Sequence, residues 1–239
     1  MYIPKKIHYC WFGGDKPELV LKCIKNWREK QPDYEIKEWN ESNIPHDFKY
    51  VNNALSLNHY AFASDYIRVW ALYVHGGIYL DTDVEIVKSL DLLDLDKCNG
   101  FIGFSQEEFI NNAIMGAVKK TKIFGEMLSY MDRLADEWKF ETSPRVSTAV
   151  FANYGLDKNT HYIVEGIKVF PKHVFYPYNP YDPARPLNNL FYEDIKEDTF
   201  TIHHYMASWT NNSKAKLIYR KLKRLSLILL NKCRLTELK

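Results

Sequence analysis

Cysteine is scarce in this sequence, and its spacing argues against the common cysteine-based sites. Four cysteines occur among 239 residues, at Cys10, Cys23, Cys98 and Cys233, and no two of them form a C-x-x-C pair. Structural zinc sites and the disulfide frameworks of small secreted domains need closely spaced or numerous cysteines. The sequence therefore predicts neither kind of site and favours a protein that works in a reducing compartment.

Long apolar runs and a large net charge are also missing. No stretch approaches the ~20 consecutive apolar residues of a membrane-spanning helix, and MYIPKKIHYCW contains no apolar signal-peptide core. The net charge is +2, but 214–239 carries nine Lys/Arg and one Glu, which leaves −6 on the residues before it. An acidic body argues against nucleic-acid binding. We expect a cytoplasmic protein, with the basic segment as a possible contact to the inner face of the cell membrane.

The pattern of the chain is that of one α/β domain, and its length suffices for such a domain. KKIHYCWFGG predicts a strand that ends at a glycine turn, and DYEIKEWN predicts a second strand. Between them, Asp15, Pro17 and Glu18 form a helix-start signal for a helix that runs to about Lys30. A strand, helix and strand within such a short stretch predict a parallel βαβ unit.

Later segments continue the alternation of helices and strands. Apolar residues at 62, 66, 69, 70 and 73 have the spacing of a helix, which Gly76-Gly77 would cap. The next segments predict, in order, a strand at IYLDTDV, a strand at GFIGF, a helix over 119–138, an irregular region over 170–186 and a late strand at TFTIHHYMASW.

Asp81 and Asp83 follow the apolar run IYL and lie two residues apart. On a strand, such residues point to one side, so their carboxylates converge at the strand end, where open α/β sheets bind ligands. Two adjacent carboxylates repel unless a cation neutralises them, and Mg²⁺ or Mn²⁺ prefers oxygen ligands of this kind. An EF-hand is excluded because Ile86 and Leu92 replace its glycine and glutamate. A phosphatase of the haloacid dehalogenase type is excluded by Val84-Glu85, where that type has Gly-Thr.

Three motifs carry a resemblance to a known family. FASDYIRVWALYVHGGIYLDTDV resembles the signature of the D-x-D sugar transferases of glycosyltransferase family 32, and it is similar to the glucosyltransferase domain of the large clostridial toxins. IPKKIHYCWFGG resembles the opening strand of both groups, and HHYMASW resembles their closing motif. The resemblance spans 3–209 and implies a GT-A type fold, a Rossmann-like mixed sheet flanked by helices. It divides the chain into a transferase domain over 1–212 and a basic helix over 213–239.

The resemblance also assigns a cation and its ligands. Asp83 matches the carboxylate that binds Mn²⁺ or Mg²⁺ directly, and Asp81 matches the one that contacts the ribose and donor sugar and the metal through water. Strand alternation sends His203 and His204 to opposite faces, so only one of them can be a ligand. By its distance from Trp209, His204 matches the third ligand.

Further positions match residues that hold a nucleotide sugar. Asp65 and Arg68 match a pair that binds the sugar and its diphosphate, and they are counted with Asp81 and Asp83 as catalytic. Two indoles match contacts to the base and to the diphosphate. The whole set expected to bind the nucleotide sugar comprises His8, Cys10, Trp11, Ser64, Asp65, Arg68, Tyr79, Asp81, Asn112, Ser208 and Trp209. Family members often have Gly-Pro where this chain has Ser143-Pro144, which leaves the acceptor open.

The function that the resemblance implies is metal-dependent, retaining transfer from a nucleotide sugar, with UDP-sugars favoured over GDP-sugars. The acceptor would be a glycan or a lipid-linked oligosaccharide in surface polysaccharide synthesis. Two alternatives stay open, a toxin-like transferase that modifies a protein and an inactive nucleotide-sugar or glycan-binding module. The segment 213–239 is either a membrane-surface helix or a terminal helix packed on the body, because apolar residues at 218, 222, 225 and 229 alternate with Lys/Arg.

Overall fold

The computed structural model describes residues 2–107, 109–155, 162–182 and 190–206. Ser208, Trp209, Cys233 and the basic segment 213–239 lie outside the described residues. The roles expected for these positions, and the domain boundary at 212, therefore stay predictions.

Strands and helices follow one another along the described chain. The first half contains β1 (Lys6–Cys10), α1 (Glu18–Lys30), β2 (Glu35–Trp39), α2 (Lys49–Ser56), α3 (Tyr60–His75), β3 (Gly77–Leu80) and β4 (Val84–Ile86). The second half contains β5 (Gly100–Gln106), β6 (Phe109–Ala117), α4 (Lys122–Asp136), α5 (Ser143–Ala152), β7 (Tyr162–Val164), β8 (Ile167–Phe170), α6 (Lys172–Phe175) and β9 (Thr201–His203). None of the described helices combines the length and apolarity that a bilayer crossing requires.

Within the described residues, seven strands form one mixed sheet in the order β2-β1-β3-β6-β5-β8-β7. β1 is parallel to β2 and to β3, as the βαβ pattern predicts, whereas β6 is antiparallel to β3 and β5. A separate antiparallel pair joins β4 to β9. The sheet has helices on both faces, and the predicted GT-A type α/β fold is confirmed.

Alternation along β3 shows how the sheet is buried on both faces. Tyr79 packs into a cluster with residues of α3 and α4, whereas Ile78 and Leu80 pack into a second cluster with α1. All three side chains are nearly inaccessible to solvent, as expected for a strand between two helical layers. The end of β3 is therefore held rigidly from both sides.

One predicted helix boundary differs from that of the structure, and another is confirmed. Helix α1 begins at Glu18 after Pro17, and Asp15 does not cap it, because proline with its fixed φ already starts the turn. Helix α3 ends at His75, and the predicted cap is confirmed, because Gly76 follows with a φ of +64°, which favours glycine.

The strand predicted over IYLDTDV breaks in the middle. β3 ends at Leu80, and the N–H of Val84 donates to the carbonyl of Asp81 at 3.0 Å, which closes a tight turn. β4 then leaves the main sheet to pair with β9. Asp81 and Asp83 are therefore brought together by a turn. The prediction that alternation along a strand brings them together is wrong.

Candidate active site

Asp81 and Asp83 lie on the turn that follows β3, at the carboxyl ends of the mutually parallel strands β2, β1 and β3. The N–H of Asp81 donates to Ala113 of β6 at 2.7 Å, and the carbonyl of Asp83 accepts the N–H of His204 at 2.9 Å. Main-chain bonds thus fix both ends of the turn. This is the place where open α/β sheets bind ligands.

His203 completes a group of three possible metal ligands with the two aspartates. One ligand atom from each residue lies within 4.8 Å of the others. The Nε2 atom of His203 lies 3.1 Å from Oδ1 of Asp83. The pairing of β4 with β9 places His203 opposite Val84, the residue that follows Asp83. The register of this small sheet therefore delivers the imidazole to the turn.

The structure places His203, and not the expected His204, beside the aspartates. The two rings point to opposite faces, as strand alternation predicts, but His203 faces the aspartates and His204 faces away from them. The Nε2 atom of His204 lies 3.0 Å from Oε2 of Glu85, on the other side of β4. The expectation that His204 is the third metal ligand is therefore corrected to His203. The register of β9 against β4 decides between them, and the distance to Trp209 in the sequence does not.

Charge and hydrogen bonding keep Asp83 ionised. Burial raises the pKa of its carboxyl group, but the charge of His203 and its hydrogen bond outweigh burial and bring the pKa to about 2. Its Oδ2 atom also accepts the N–H of Met206 at 2.7 Å. Burial lowers the pKa of His203, but Asp83 outweighs that effect and raises it above the usual range. A cation bound here would take the place of the His203 proton, because only the neutral imidazole is a metal ligand.

Arg68 holds the second aspartate and links it to helix α3. Its guanidinium lies 2.9 Å from Asp65 and 3.1 Å from Asp81, and it donates to the carbonyl of Asn112 at 3.3 Å. The ring of Tyr79 packs against it at 4.8 Å, a cation–π contact. Asp65 and Arg68 are three residues apart on one helical face, so their contact is set locally. The Arg68 side chain is 8% exposed, and its charge therefore serves the site rather than the surface.

Asp65 is buried and joined to a second helix. Its Oδ2 atom accepts the N–H of Ser143, the first residue of α5, at 3.1 Å. Burial raises the pKa of Asp65 to about 7, although Arg68 opposes this change. Asp65 therefore depends on Arg68 for its charge, and its contact with α5 places that helix at the site.

Three residues expected to contact the nucleotide sugar, Ser64, Tyr79 and Cys10, lie next to Asp81 or in the core behind it. The hydroxyl of Tyr79 donates to Oδ1 of Asp81 at 3.0 Å and lies 3.2 Å from the hydroxyl of Ser64. Tyr79 and Cys10 are 1% and 5% exposed. Burial raises the pKa of the Cys10 thiol to about 12, so it is a neutral packing group. Tyr79 and Ser64 orient Asp81, Cys10 packs in the core, and little of Tyr79 or Cys10 is open to a ligand.

His8 is also removed from the expected nucleotide site. It is fully buried, its Nδ1 accepts from the indole of Trp39 at 3.1 Å, and its Nε2 lies 2.8 Å from the carbonyl of Gly76. Since Nδ1 accepts, Nε2 carries the proton. Both ring nitrogens are used, and burial lowers the pKa of His8 to about 4. His8 is therefore a neutral core residue that ties β2 to the end of α3.

Trp11 and Asn112 lie at the same edge of the sheet. The indole of Trp11 is half-buried and donates to the carbonyl of Gly14 at 3.0 Å. The side chain of Asn112 is fully buried, its Oδ1 accepts from Ser147, and its Nδ2 has no hydrogen-bond partner among the described residues. Their expected contacts to base and sugar stay proposals.

The donor set fits a divalent cation. Two carboxylates and an imidazole are ligands that Mn²⁺ accepts, and Mg²⁺ binds through carboxylates and substrate phosphates. The side chain of Asp81 is 24% exposed, whereas that of Asp83 is 11% exposed, so one side of the group is open. Arg68 adds a fixed positive charge next to it, which suits an anionic ligand.

Sequence reasoning missed several residues that shape this site. The ring of His203 lies between those of Tyr176, at 6.0 Å, and Tyr205, at 4.1 Å. Asn26 of α1 bonds both the N–H and the carbonyl of Ile86, which fixes β4. Tyr205 could have been found from the sequence, because it belongs to the motif HHYMASW, whereas Tyr176 and Asn26 belong to no motif.

Comparisons with known proteins find similarity over the same part of the chain. Residues 17–99 match the family described as glycosyltransferase sugar-binding region containing DXD motif. Inositol phosphoceramide mannosyltransferase 3 of Schizosaccharomyces pombe is 28% identical over 143 residues, which cover 58% of this chain and 40% of that protein. Subversion of eukaryotic traffic protein A of Legionella pneumophila is 29% identical over 111 residues, which cover 34% of this chain and 17% of that protein. The chain thus spans less than half the length of either relative.

A solved structure supports the fold. The PaToxG glycosyltransferase superposes with a TM-score of 0.55 at 22% identity, over 64% of this chain and 70% of that one. The matched residues 17–99 contain the Asp65–Arg68 pair and the Asp81–Asp83 pair. Through this region, the chain is similar to the glycosyltransferases with a DXD-containing sugar-binding region.

Proposed function

We propose that this protein transfers a sugar from a nucleotide-sugar donor to a glycan or lipid-linked acceptor, with retention of anomeric configuration and with a divalent cation. The observation that carries the proposal is the group Asp81, Asp83 and His203 next to Arg68. Three ligands and a buried guanidinium at the end of a strand fit a diphosphate that bridges a cation and an arginine. A UDP-sugar is the favoured donor, and GDP-sugars are the alternative.

The residues of the site would act on charge and orientation. Asp81, Asp83 and His203 would hold Mn²⁺ or Mg²⁺, which when bound neutralises charge on the leaving nucleoside diphosphate. Arg68 would place a second positive charge there, and it is held in position by Asp65 and the ring of Tyr79. Preorganised charges of this kind stabilise a transition state because they need no rearrangement during the reaction.

The proposed transfer is direct, from the donor phosphate to the acceptor hydroxyl, and it needs no covalent bond to the protein. The bond from the anomeric carbon to the phosphate oxygen breaks, and a bond to the acceptor hydroxyl oxygen forms on the same face. The acceptor proton passes to an oxygen of the leaving phosphate. The chain would exclude water and orient the two reactants, which is where binding energy contributes to rate.

The name of the fungal relative suggests a class of donor and acceptor to test. That relative is described as a mannosyltransferase acting on inositol phosphoceramide. For this chain we propose a sugar acceptor on a glycan or lipid carrier, at the cytoplasmic face of the membrane, with the basic segment 213–239 as the membrane contact. Cosedimentation with vesicles of anionic and of neutral lipid tests that contact, because an electrostatic contact needs the anionic lipid.

A nucleotide-release assay tests the proposal. The purified protein is incubated with Mn²⁺ and a panel of UDP- and GDP-sugars, and free UDP or GDP is measured beside Asp83→Asn. We expect slow release from one donor, lost on chelation and in the variant. An inactive binding module would bind a nucleotide with Mn²⁺ and release none from any donor, even when glycan acceptors are added.

A toxin-like transferase is the second candidate, and it is suggested by the match to a Legionella protein that is named for the subversion of eukaryotic traffic. It differs in the acceptor, since a protein side chain replaces a sugar hydroxyl. Transfer of a radiolabelled sugar to lysate proteins, compared with transfer to simple glycosides, distinguishes the two.

A further inference from the structure

The turn from Asn179 to Asp182 carries an exposed aromatic ring near the candidate active site. Tyr181 is 63% exposed, whereas Asn179 and Asp182 are 7% and 4% exposed. A single exposed aromatic residue is common on protein surfaces and needs no explanation by itself. The anchoring of this turn and the neighbours of the ring set Tyr181 apart from other exposed aromatic residues.

Buried polar bonds fix the turn on both sides of the ring. The side-chain amide of Asn179 donates to the carbonyl of Ser105, at the end of β5, at 3.1 Å. Its oxygen accepts the N–H of Tyr181 at 2.9 Å, and the N–H of Asp182 donates to the carbonyl of Asn179 at 3.1 Å. Lys172 lies 3.0 Å from the carboxylate of Asp182. The exposed ring therefore stands on a fixed backbone, which lowers the entropy lost when a ligand binds.

Two ring contacts connect Tyr181 to the candidate metal ligands. The ring of Tyr181 meets that of Tyr205 edge to face, with centroids 6.0 Å apart. The ring of Tyr205 lies 4.1 Å from that of His203, which contacts Asp83. The segment also crosses the same edge of the sheet, since the hydroxyl of Tyr176 donates to the carbonyl of Asn111 in β6. Tyr181 is thus close to the cation group on the side of β5 and β6.

The backbone around Tyr205 connects the pair of rings Tyr181 and Tyr205 to Asp83. Its φ of +52° is a left-handed conformation that is uncommon for tyrosine. This turn lets the next residue, Met206, donate its N–H to Oδ2 of Asp83 at 2.7 Å. Tyr205 is therefore held between the ligand group and Tyr181, and it supports the exposed ring from behind.

We propose that Tyr181, supported by Tyr205, forms the acceptor subsite and binds the C–H face of a pyranose ring. This inference rests on the proposed function, and it names the acceptor as a sugar. An aromatic face carries partial negative charge and attracts the weakly positive C–H groups of a sugar, while the hydroxyl groups of the sugar stay in water. Arg68 contacts Asp81 directly at 3.1 Å, which favours the position beside the guanidinium for the diphosphate of the donor.

Saturation-transfer NMR with simple glycosides tests the subsite. Methyl α-mannoside, methyl β-glucoside and methyl β-galactoside are the probes, added to the full chain with diamagnetic Mg²⁺ and whichever of UDP or GDP binds. We expect ring C–H signals from at least one glycoside, with binding about tenfold weaker in Tyr181→Ala and largely retained in Tyr181→Phe. Tyr192, which is 90% exposed, provides the control Tyr192→Ala, which should bind as the wild type does.

The outcomes separate the subsite from the proposed function. Equal glycoside binding in the wild type and Tyr181→Ala, or no glycoside signal from a protein that binds the nucleotide, overturns the subsite and would favour a protein acceptor. Failure to bind either nucleotide with Mn²⁺ overturns the proposed function itself, whatever Tyr181 does. Circular dichroism of each variant excludes unfolding as the cause of a loss.

Discussion

Nε2 of His203 lies 3.1 Å from Oδ1 of Asp83, although 119 residues separate the two positions in the sequence. The pairing of β4 with β9 creates this contact, and Met206 adds a second bond to the same carboxylate. The candidate metal group therefore depends on a small sheet outside the main one.

His203 and His204 form a matched pair for testing the metal assignment. We expect His203→Ala to raise the Mn²⁺ concentration for half-maximal nucleotide release by at least about tenfold, since a ligand is lost. His204→Ala should change it by less than about threefold, because His204 pairs with the half-exposed Glu85 and such pairs contribute little. Equal effects of both variants would contradict the register derived from β9.

Asn26 should affect both stability and cation affinity. Its side-chain amide accepts the N–H of Ile86 at 2.8 Å and donates to the carbonyl of Ile86 at 3.1 Å. No other side chain of the described residues makes a hydrogen bond to either group. Asn26→Ala should lower the free energy of unfolding by about 1–3 kcal/mol and weaken Mn²⁺ binding. Asn52→Ala is the control, because its single bond to His46 is exposed. Urea denaturation and a Mn²⁺ titration measure the two effects, and an unchanged Mn²⁺ affinity would make Asn26 purely structural.

Arg68 should be needed for stability as well as for activity. Its removal breaks the buried pair with Asp65, which typically costs up to about 3–5 kcal/mol, and uptake of a proton by Asp65 limits the loss. Arg68→Leu should therefore be strongly destabilised, and adding Asp65→Asn should recover at least about 1 kcal/mol without restoring nucleotide release. Denaturation of the single and double variants measures this coupling. Additive losses would show that Asp65 does not depend on Arg68.

His8 should make the protein less stable as the pH falls. Its pKa is about 4 in the folded protein and 6.5 ordinarily, so the unfolded chain binds the proton more tightly. The contribution is complete above pH 6.5 and is lost progressively as the pH falls toward 4, by up to about 3 kcal/mol. His8→Gln should flatten the dependence in that window, with exposed His46→Gln as the control. Parallel profiles for the two variants would contradict the burial of a neutral His8.

The local part of the fold could be predicted from the sequence. Strand β1, helix α1, strand β2, helix α3 and strand β3 are confirmed because period and glycine turns act over a few residues. Strand β6 was missed because INNAIMGA follows neither a clear alternation nor a turn signal. The prediction of an irregular 170–186 region overlooked α6, a single turn of helix.

The site could be predicted only where a motif is local. Asp65, Arg68, Asp81 and Asp83 come together because one helix and one strand follow each other directly. The choice between His203 and His204 depends on the register of β9 against β4, which is set by long-range pairing. The burial of His8 could not be predicted from a local motif either, because Trp39 and Gly76 occupy its ring only in the folded chain.

Direct binding of Mn²⁺, followed by electron paramagnetic resonance, tests the central claim most directly. The wild-type protein is titrated with Mn²⁺ in the presence of UDP or GDP, beside Asp83→Asn. The account predicts one bound Mn²⁺ per chain, tightened by one of the nucleotides and lost in the variant. Equal Mn²⁺ binding by Asp83→Asn, or none by the wild type with either nucleotide, would contradict the assignment of this site.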